Sequence, residues 1–314
     1  MVGPAIAAIQ KQFPHAQIDL LVHRNTQDLF RNFPDICSVN TISNKRAKWK
    51  GWLPFSKYDL AVVFNAFEEL LPLVKYARRV SNFVLAYETS DKSVNLKLDI
   101  ALPKSHERQH IMRPYLELIG AYGVEQNGMR VLYYPTSSEL QSAKKIIHDN
   151  GFEKSFLIGY KVFSLPSRPW RDWSISRFYE LSQLILDIKP DAKFLLFGSS
   201  VEAEKLTELH SRIGQQYSAL IIDLPLRMVG ALMAQLNLYV GVDTGLTHLM
   251  SSFDIPIEIL YHGKNPSSIA KPIGHPCCKV LDHPMGEASK EHDSLDDIPA
   301  ELVYRDIVNY LHKN

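Results

Sequence analysis

Short apolar runs alternate with amphipathic segments along this 314-residue chain. The apolar runs predict strands, and because most of their positions are apolar they fit parallel strands covered on both faces. Segments whose apolar residues recur at helical spacing predict the helices. The main predicted strands are 16–23, 58–64, 155–164, 193–197, 238–242 and 255–261, and the main predicted helices are 1–13, 68–79, 106–123, 176–187 and 299–312. This order indicates an α/β protein, and the length favours two domains because single cores stop growing near this size.

The apolar run that ends at Val242 breaks abruptly at Asp243-Thr244-Gly245, and an amphipathic segment follows it. The pattern predicts a buried strand, a tight turn and a helix. The first amides of a helix lack partners and carry the positive end of its dipole, so residues 244–248 are candidates for binding a diphosphate. Asp243 would lie at the carboxyl end of the strand, where open α/β sheets bind ligands. The alternative is an ordinary junction in which Asp243 only caps the helix.

The segment Asp-Thr-Gly-Leu-Thr-His-Leu, preceded by Val-Gly-Val, resembles the signature of the ADP-heptose:lipopolysaccharide heptosyltransferases, glycosyltransferase family 9. The resemblance implies a GT-B fold, with two Rossmann-like domains whose parallel sheets face each other across a cleft. The expected domains are 1–150, which binds the acceptor, and 151–314, which binds the nucleotide sugar and whose last helix returns to the first domain. The implied reaction is an inverting, metal-independent transfer of heptose from ADP-heptose to the lipopolysaccharide inner core, without a cofactor.

The same resemblance assigns donor-binding residues in the second half. Arg171 matches the family's phosphate-binding cation two residues before Trp173, and a guanidinium can hold two phosphate oxygens at once. Glu202 is expected to bind ribose hydroxyls, although Glu204 is close by, and Leu224 to pack on the adenine. The full set of predicted donor contacts is Ser164, Ser167, Arg171, Glu202, Leu224, Asp243, Thr244, Gly245, Leu246, Thr247 and His248.

The loop around Arg171 departs from the family pattern. Pro166 and Pro169 stiffen it, and Arg168 offers a second cation. Which arginine contacts phosphate is therefore open. A further alternative is that Arg171 is a surface arginine packed beside a half-buried tryptophan.

The chain begins with a predicted helix, whereas a Rossmann-like domain normally begins with a strand. In the family that strand leads to Gly-Asp and then Pro-Ala, and only Pro4-Ala5 match here. The family's catalytic base, the aspartate of Gly-Asp, is expected upstream of Met1. Either the numbering starts late or the protein is shortened. A missing strand would leave a gap in the sheet at a cost on the order of several kcal/mol, unless another strand closes it.

The segment Asn44–Trp52 is the most basic stretch of the chain and contains two tryptophans. Lys45, Arg46 and Lys48 are predicted to bind the anionic lipid A-core acceptor, because basic residues favour anionic membrane surfaces. Asn65, at the carboxyl end of a predicted strand, is a fourth acceptor candidate. The alternative for the basic segment is a solvated loop.

Composition limits the other possibilities. The net charge is +1, with 46% hydrophobic and 22% charged residues, which is ordinary for a globular protein and argues against general nucleic-acid binding. Cys37, Cys277 and Cys278 form no metal-ligand or disulfide pattern, and no metal site is predicted from the histidine spacing. Without a long apolar run, the expected location is the cytoplasm, with peripheral contact at the inner membrane.

Two other functions remain open. One is a nucleotide-sugar- or glycan-binding protein with impaired catalysis, since the expected catalytic aspartate is absent. The other is a transferase similar to family 9 that uses a different nucleotide sugar.

Overall fold

The computed structural model describes residues 1–49, 57–105 and 107–312. Four residues discussed above lie outside these ranges: Lys50, Gly51, Trp52 and His106. Contacts divide the chain into two compact units, Met1–Met129 and Arg130–Asn314.

The second unit begins before residue 151, the start expected from the sequence. The helix Ser137–Asp149 belongs to it because the first turn of this helix is tied to Arg227. Arg227 Nη2 donates to Glu139 Oε2 at 2.6 Å, and this side-chain contact is the main reason that the pKa of Glu139 is lowered to about 2. A buried arginine needs such a partner. The second unit therefore begins nearer the amino terminus than residue 151.

The first unit contains two separate parallel sheets. Its strands are β1 (Ile18–Val22), β2 (Ile36–Thr41), β3 (Tyr58–Val63), β4 (Ser81–Tyr87) and β5 (Ile100–Leu102). Its helices are α1 (Gly3–Gln12), α2 (Asn44–Ala47), α3 (Leu71–Val80), α4 (Lys92–Asn95) and α5 (Arg113–Gly120). β1 pairs with β2, and β4 pairs with β3 and β5. The predicted initial helix is confirmed, whereas the helix predicted over 106–123 is shorter because Pro114 fits only in a first turn.

β1 and β3 are not paired by backbone hydrogen bonds, and side-chain hydrogen bonds connect them instead. The Tyr58 hydroxyl donates to Asp19 at 2.8 Å, and the Ser38 hydroxyl donates to the same carboxylate at 2.6 Å. These contacts lower the pKa of Asp19, the Ser38 hydrogen bond most. No described strand pairs with both β1 and β3. The described strands of this unit therefore form two sheets that share no backbone ladder.

A six-stranded parallel sheet forms the centre of the second unit. Its strands are β6 (Phe156–Lys161), β7 (Ala192–Gly198), β8 (Ser218–Ile222), β9 (Leu238–Val242), β10 (Ile257–Tyr261) and β11 (Cys278–Asp282). The spatial order is β11-β10-β9-β6-β7-β8. The chain runs from β6 outward through β7 and β8, then returns to β9 and runs outward the other way. The order of strands therefore reverses between β6 and β9, where open α/β sheets bind ligands.

Helices cover both faces of this sheet's apolar strands. They are α6 (Ser137–Asp149), α7 (Ile175–Ile188), α8 (Ala203–Ile213), α9 (Leu226–Met233), α10 (Gly245–Met250), α11 (Ser267–Ala270) and α12 (Ala300–Leu311). Trp173 is fully buried against Phe178 of α7, and its indole donates to the Ile298 carbonyl at 2.9 Å. This contact holds the chain entering α12 beside α7, and the two helices pack together. The expected return of the last helix to the first domain stays a prediction.

No helix in the described ranges has the length and apolar character needed to cross a bilayer.

Glu258 is a buried acid in the middle of the second sheet. It is 0% exposed on β10, and neither carboxylate oxygen has a hydrogen-bond partner among the described residues. Its neighbour across the ladder, Lys279, instead donates to the Asp306 carbonyl at 2.6 Å. Burial raises the pKa of Glu258 to about 8, Asp306 adds to the rise, and Lys279 opposes it. The charge of Glu258 also interacts with the side chains of Cys278 and Tyr310.

Glu258→Gln should make the protein less sensitive to alkaline pH. The folded-state pKa of about 8 exceeds the usual 4.5, so between these values the native protein binds more protons than the unfolded chain. As the pH rises between these values, the free energy of unfolding of the wild-type protein therefore falls by up to about 1.4 kcal/mol per pH unit. Urea unfolding should show similar stability for both proteins near pH 5 and a variant more stable by on the order of 3 kcal/mol near pH 8. Glu204→Gln, an exposed control, should show no such difference; equal pH profiles for Glu258→Gln and wild type would contradict the assignment.

Candidate active site

The turn after β9 is fixed by two threonine hydroxyls. Thr244 is extended and caps α10, its hydroxyl accepting from the Thr247 amide at 3.4 Å. The Thr247 hydroxyl donates to the Val242 carbonyl at 2.6 Å and lies 2.9 Å from the Tyr239 hydroxyl. In the described chain, the Gly245 and Leu246 amides donate to no protein atom. The predicted strand–turn–helix geometry is confirmed, and these two amides are available to a ligand.

Asp243 is a buried carboxylate in contact with side chains from two loops and from α10. It is 4% exposed, and its Oδ2 accepts from Arg171 Nη1 at 3.0 Å and from Asn265 Nδ2 at 2.6 Å. Its Oδ1 lies 3.3 Å from His248 Nε2. Burial alone would raise the pKa of Asp243, but the contacts with His248, Arg171 and Asn265 outweigh it and lower the pKa. Asp243 therefore stays ionised, and the helix is capped by Thr244 rather than by Asp243.

Arg171 is placed beside this carboxylate by the loop after β6. It ends a short 3-10 helix, Pro169–Arg171, and its guanidinium lies 5.0 Å from the centre of the Trp170 ring. Burial lowers the pKa of Arg171, while Asp243 opposes that shift. Arg171 Nε and His248 Nδ1 are buried without a hydrogen-bond partner among the described residues. Buried polar atoms in folded proteins usually have a hydrogen-bond partner, so two such atoms without one beside a single carboxylate are unusual. A polar ligand would supply the missing hydrogen bonds.

The rest of the loop holds Arg171 in place. The Ser164 amide donates to Asp172 Oδ1 at 2.6 Å, and the Ser164 hydroxyl donates to the Arg168 carbonyl at 2.7 Å. Ser167 and Arg168 are exposed. Of the two arginines weighed from the sequence, Arg171 is the one whose side chain contacts the Asp243 turn. It is not a surface arginine.

Glu202 follows β7 and is already engaged within the protein. Its Oε1 lies 2.7 Å from Lys161 Nζ, and its Oε2 accepts from the Ser199 amide at 2.8 Å and from the Ser199 hydroxyl at 3.1 Å. Glu204 is exposed on α8. The structure therefore places Glu202, rather than Glu204, at the end of the sheet. Sequence reasoning missed Lys161, although a lysine that ends an otherwise apolar strand was a usable signal.

The remaining predicted donor residue, Leu224, is half-buried between β8 and α9. Its neighbour Asp223 has a φ of 50° and accepts from the Ser200 amide at 3.0 Å. This contact joins the loops that follow β7 and β8. Asn265, which follows β10, was also missed by sequence reasoning.

These residues share one end of the second sheet. Arg171 follows β6, Glu202 follows β7, Leu224 follows β8 and Asp243 follows β9. Because all the strands are parallel, their carboxyl ends meet at one edge, on both sides of the strand-order reversal. Within the described ranges, no group of three or more His, Cys, Asp or Glu side chains is arranged to hold a metal ion.

In the first unit, Asn65 was predicted to contact the acceptor, and the structure shows its side chain bonded within the protein. It is 0% exposed, its amide nitrogen donates to the Tyr87 carbonyl at 2.8 Å, and its amide oxygen accepts from the Tyr87 amide at 2.8 Å. Both ends of the side chain are thus used to join the ends of β3 and β4. Asn65 is therefore buried and already supports the sheet, and its contact with an acceptor stays a prediction.

The basic segment begins with the short helix α2. The Ser43 hydroxyl caps it, accepting from the Arg46 amide at 3.2 Å, and Ala47 is buried with its carbonyl accepting from Arg79. The side chains predicted to contact the acceptor are exposed: Lys45, Arg46 and Lys48. The anchored backbone holds these positive charges on the surface of the first unit.

Comparisons with known proteins identify the class. A glycosyl transferase family 9 protein from Veillonella parvula DSM 2008 matches with a TM-score of 0.81 and 16% identity, over 99% of this chain and 92% of that one. E. coli ADP-heptose lps heptosyltransferase II matches with a TM-score of 0.75 and 17% identity, over 99% and 94%. E. coli heptosyltransferase WaaC with ADP matches with a TM-score of 0.68 and 17% identity, over 98% and 92%. At these identities the matches establish the fold, which is that of the GT-B glycosyltransferases.

The family follows from the sequence. The model of glycosyltransferase family 9 (heptosyltransferase) matches residues 73–296, which is more than half of the chain, and the protein belongs to this family. The matched region contains the loop of Arg171 and the turn of Asp243. No curated protein matches the sequence significantly.

Thr247→Val should destabilise the protein without removing a ligand contact. Thr247 is 0% exposed, and its hydroxyl and amide both bond within the turn, so its predicted contact with the donor is better explained as support for the turn. Loss of the hydroxyl leaves the Val242 carbonyl and the Tyr239 hydroxyl without it, which should cost about 1–3 kcal/mol in urea unfolding. The affinity of the folded variant for ADP should change little. A large loss of affinity at unchanged stability would contradict this assignment.

Proposed function

We propose that this family 9 protein is an inverting, metal-independent heptosyltransferase that uses ADP-heptose as its donor. The observation that carries the proposal is the cluster of Arg171, Asp243 and His248 beside two unpartnered amides at the strand-order reversal. A cation and free amides in a buried setting suit a diphosphate. The family description, and the ADP named with the matched E. coli WaaC, support the same donor.

In the proposed reaction an acceptor hydroxyl attacks the anomeric carbon of the sugar. The bond from that carbon to the diphosphate breaks, and ADP leaves with the electron pair. Arg171 Nε and the amides of Gly245 and Leu246 offset the negative charge that develops on ADP. These donors are fixed before the ligand arrives, because Asp243 holds Arg171 and Thr247 holds the turn. No reorganisation is then needed as the bond breaks.

Asp243 has room for one more contact. It receives Arg171, Asn265 and His248, and a carboxylate offers about four acceptor positions. A sugar hydroxyl donating to the remaining position would be oriented by a group that cannot rotate. The proton lost by the acceptor hydroxyl passes to a general base.

The proposed acceptor is the anionic lipid A-core, bound by the first unit at the inner membrane surface. Lys45, Arg46 and Lys48 are exposed next to Trp49, which is 79% exposed. Basic residues flanked by an exposed tryptophan favour an anionic interface. The protein is proposed to reach this surface from the cytoplasm.

Calorimetry with ADP, UDP and GDP tests the donor. ADP should bind more tightly than the other two, and Arg171→Ala should weaken ADP binding by about 10–100-fold because a charge-assisted contact is lost. Arg168→Ala, in the exposed part of the same loop, should have a smaller effect. Arg212→Ala on α8 is the matched control and should bind like wild type.

A preference for UDP or GDP would replace the heptose donor with another nucleotide sugar. Tight binding of ADP-heptose without sugar transfer would instead favour the binding protein that has lost catalysis. Unchanged ADP binding by Arg171→Ala would remove Arg171 from the site.

Vesicle sedimentation tests the basic segment. The triple variant Lys45→Glu, Arg46→Glu and Lys48→Glu should lose binding to vesicles rich in anionic lipid, since each basic residue contributes about 1 kcal/mol at such a surface. High salt should weaken wild-type binding in the same way. Lys144→Glu with Lys145→Glu, exposed on α6, is the control and should change binding less. Equal loss in both variants would assign the effect to net charge alone.

A further inference from the structure

Trp170 contacts the neighbouring Arg171 through the face of its ring. The Arg171 guanidinium lies over the indole, 5.0 Å from its centre. A cation over an aromatic ring is attracted by the negative face of the ring, and tryptophan is the strongest partner for such a contact. This attraction requires no acceptor atom. Trp170 therefore holds a cation without supplying an acceptor for its N–H groups.

The hydrogen bonds of Arg171 show the effect of this arrangement. Its Nη1 lies 3.0 Å from Asp243 Oδ2 and 3.4 Å from the Asp243 carbonyl, and its Nε is buried without a partner among the described residues. A second carboxylate in the place of Trp170 would compete for these N–H groups, since carboxylates often bind a guanidinium through two parallel hydrogen bonds. With the aromatic ring in this place, a buried donor stays available to a ligand.

Trp170 is itself held in place by a buried histidine. His262 is 1% exposed, and its ring centre lies 4.8 Å from that of Trp170. Its Nδ1 accepts from the Lys264 amide at 3.2 Å, and its Nε2 lies 3.3 Å from the Asp293 carbonyl. Both ring nitrogens are thus bonded to the backbone, which fixes the ring. Burial lowers the pKa of His262, so at neutral pH this ring carries no charge that would compete with Arg171 for the indole.

We propose that Trp170 is a positioning residue for the diphosphate of the nucleotide and that it acts through Arg171. The ring keeps the guanidinium beside the Asp243 turn and leaves Nε to donate to a phosphate oxygen. An arginine without this contact would have to be ordered as the ligand binds, and ordering a long side chain costs affinity. The inference rests on the proposed function, because it takes a nucleoside diphosphate as the ligand.

A double-mutant cycle tests this role, with ADP affinity measured by calorimetry. Trp170→Leu should bind ADP about fivefold more weakly than wild type, as expected for the loss of one cation–π contact. In the Arg171→Ala background the same substitution should change the affinity by less than about twofold, because no guanidinium remains to be held. Trp170→Phe keeps an aromatic face and should retain part of the affinity. A tryptophan that only stabilises the fold would cause the same loss in both backgrounds.

Tyr179→Leu is the matched control for the loss of a ring beneath an arginine. The Arg212 guanidinium lies over the Tyr179 ring, 4.7 Å from its centre. Tyr179 is on α7 and Arg212 is on α8, and neither is a proposed ligand contact. The ADP affinity of this variant should equal that of wild type.

Fluorotryptophan tests the same contact in case Trp170→Leu folds poorly. Replacing every tryptophan by its fluorinated analogue withdraws charge from the ring faces and leaves their shape almost unchanged. The ADP affinity of the wild-type sequence should fall by about twofold to threefold. Trp170→Phe, labelled in the same way, should show no fall, because its remaining tryptophans do not contact Arg171 through a ring face. Equal affinities of labelled and unlabelled wild type would remove the role of Trp170.

The results separate the two proposals. If wild type binds no ADP, the proposed function and this inference both fail. If wild type binds ADP and Arg171→Ala weakens that binding, but Trp170→Leu binds as wild type does or loses the same factor in both backgrounds, only the role of Trp170 fails.

Discussion

The second unit depends on the burial of the Asp243 carboxylate. A charge removed from water must be matched by fixed donors, and Arg171, Asn265 and His248 supply them from three different segments. One carboxylate thereby sets the positions of the loops after β6 and β10 and of the first turns of α10. The same contacts bring Arg171 to the turn with its Nε still unpartnered. The contacts that stabilise this region therefore also leave a buried donor beside the turn.

Three acids in or directly after the strands of the second sheet differ in their partners. Asp243 and Glu202 each face a cation at the carboxyl end of the strands, where loops can deliver it. Glu258 lies within β10, and its neighbour Lys279 is directed to a backbone carbonyl instead. Burial then favours the neutral form and raises the pKa of Glu258. Paired charge is thus concentrated at the end of the sheet where the ligand is proposed to bind.

Among the described residues, the first unit has fewer buried side-chain atoms without a hydrogen-bond partner than the second. Asn65 and Asp19 are polar residues at or beside strand ends, and both are satisfied by neighbouring strands. They replace part of the bonding that a continuous ladder would supply between strands. Lys45, Arg46 and Lys48 add three exposed positive charges on α2 and the residue after it.

The sequence by itself determined the class of fold, the family and the turn at Asp243, because apolar runs, glycine and threonine at this turn act through local geometry. It also placed Arg171 and Glu202 at strand ends. Only the tertiary structure decided which of these side chains are free. The hydroxyl of Thr247 and the amide of Asn65 already form hydrogen bonds with residues nearby in space, and Lys161 reaches Glu202 only because β6 and β7 are adjacent. Hydrogen-bond partners depend on strand order and burial, and neither quantity can be read from residue spacing along the chain.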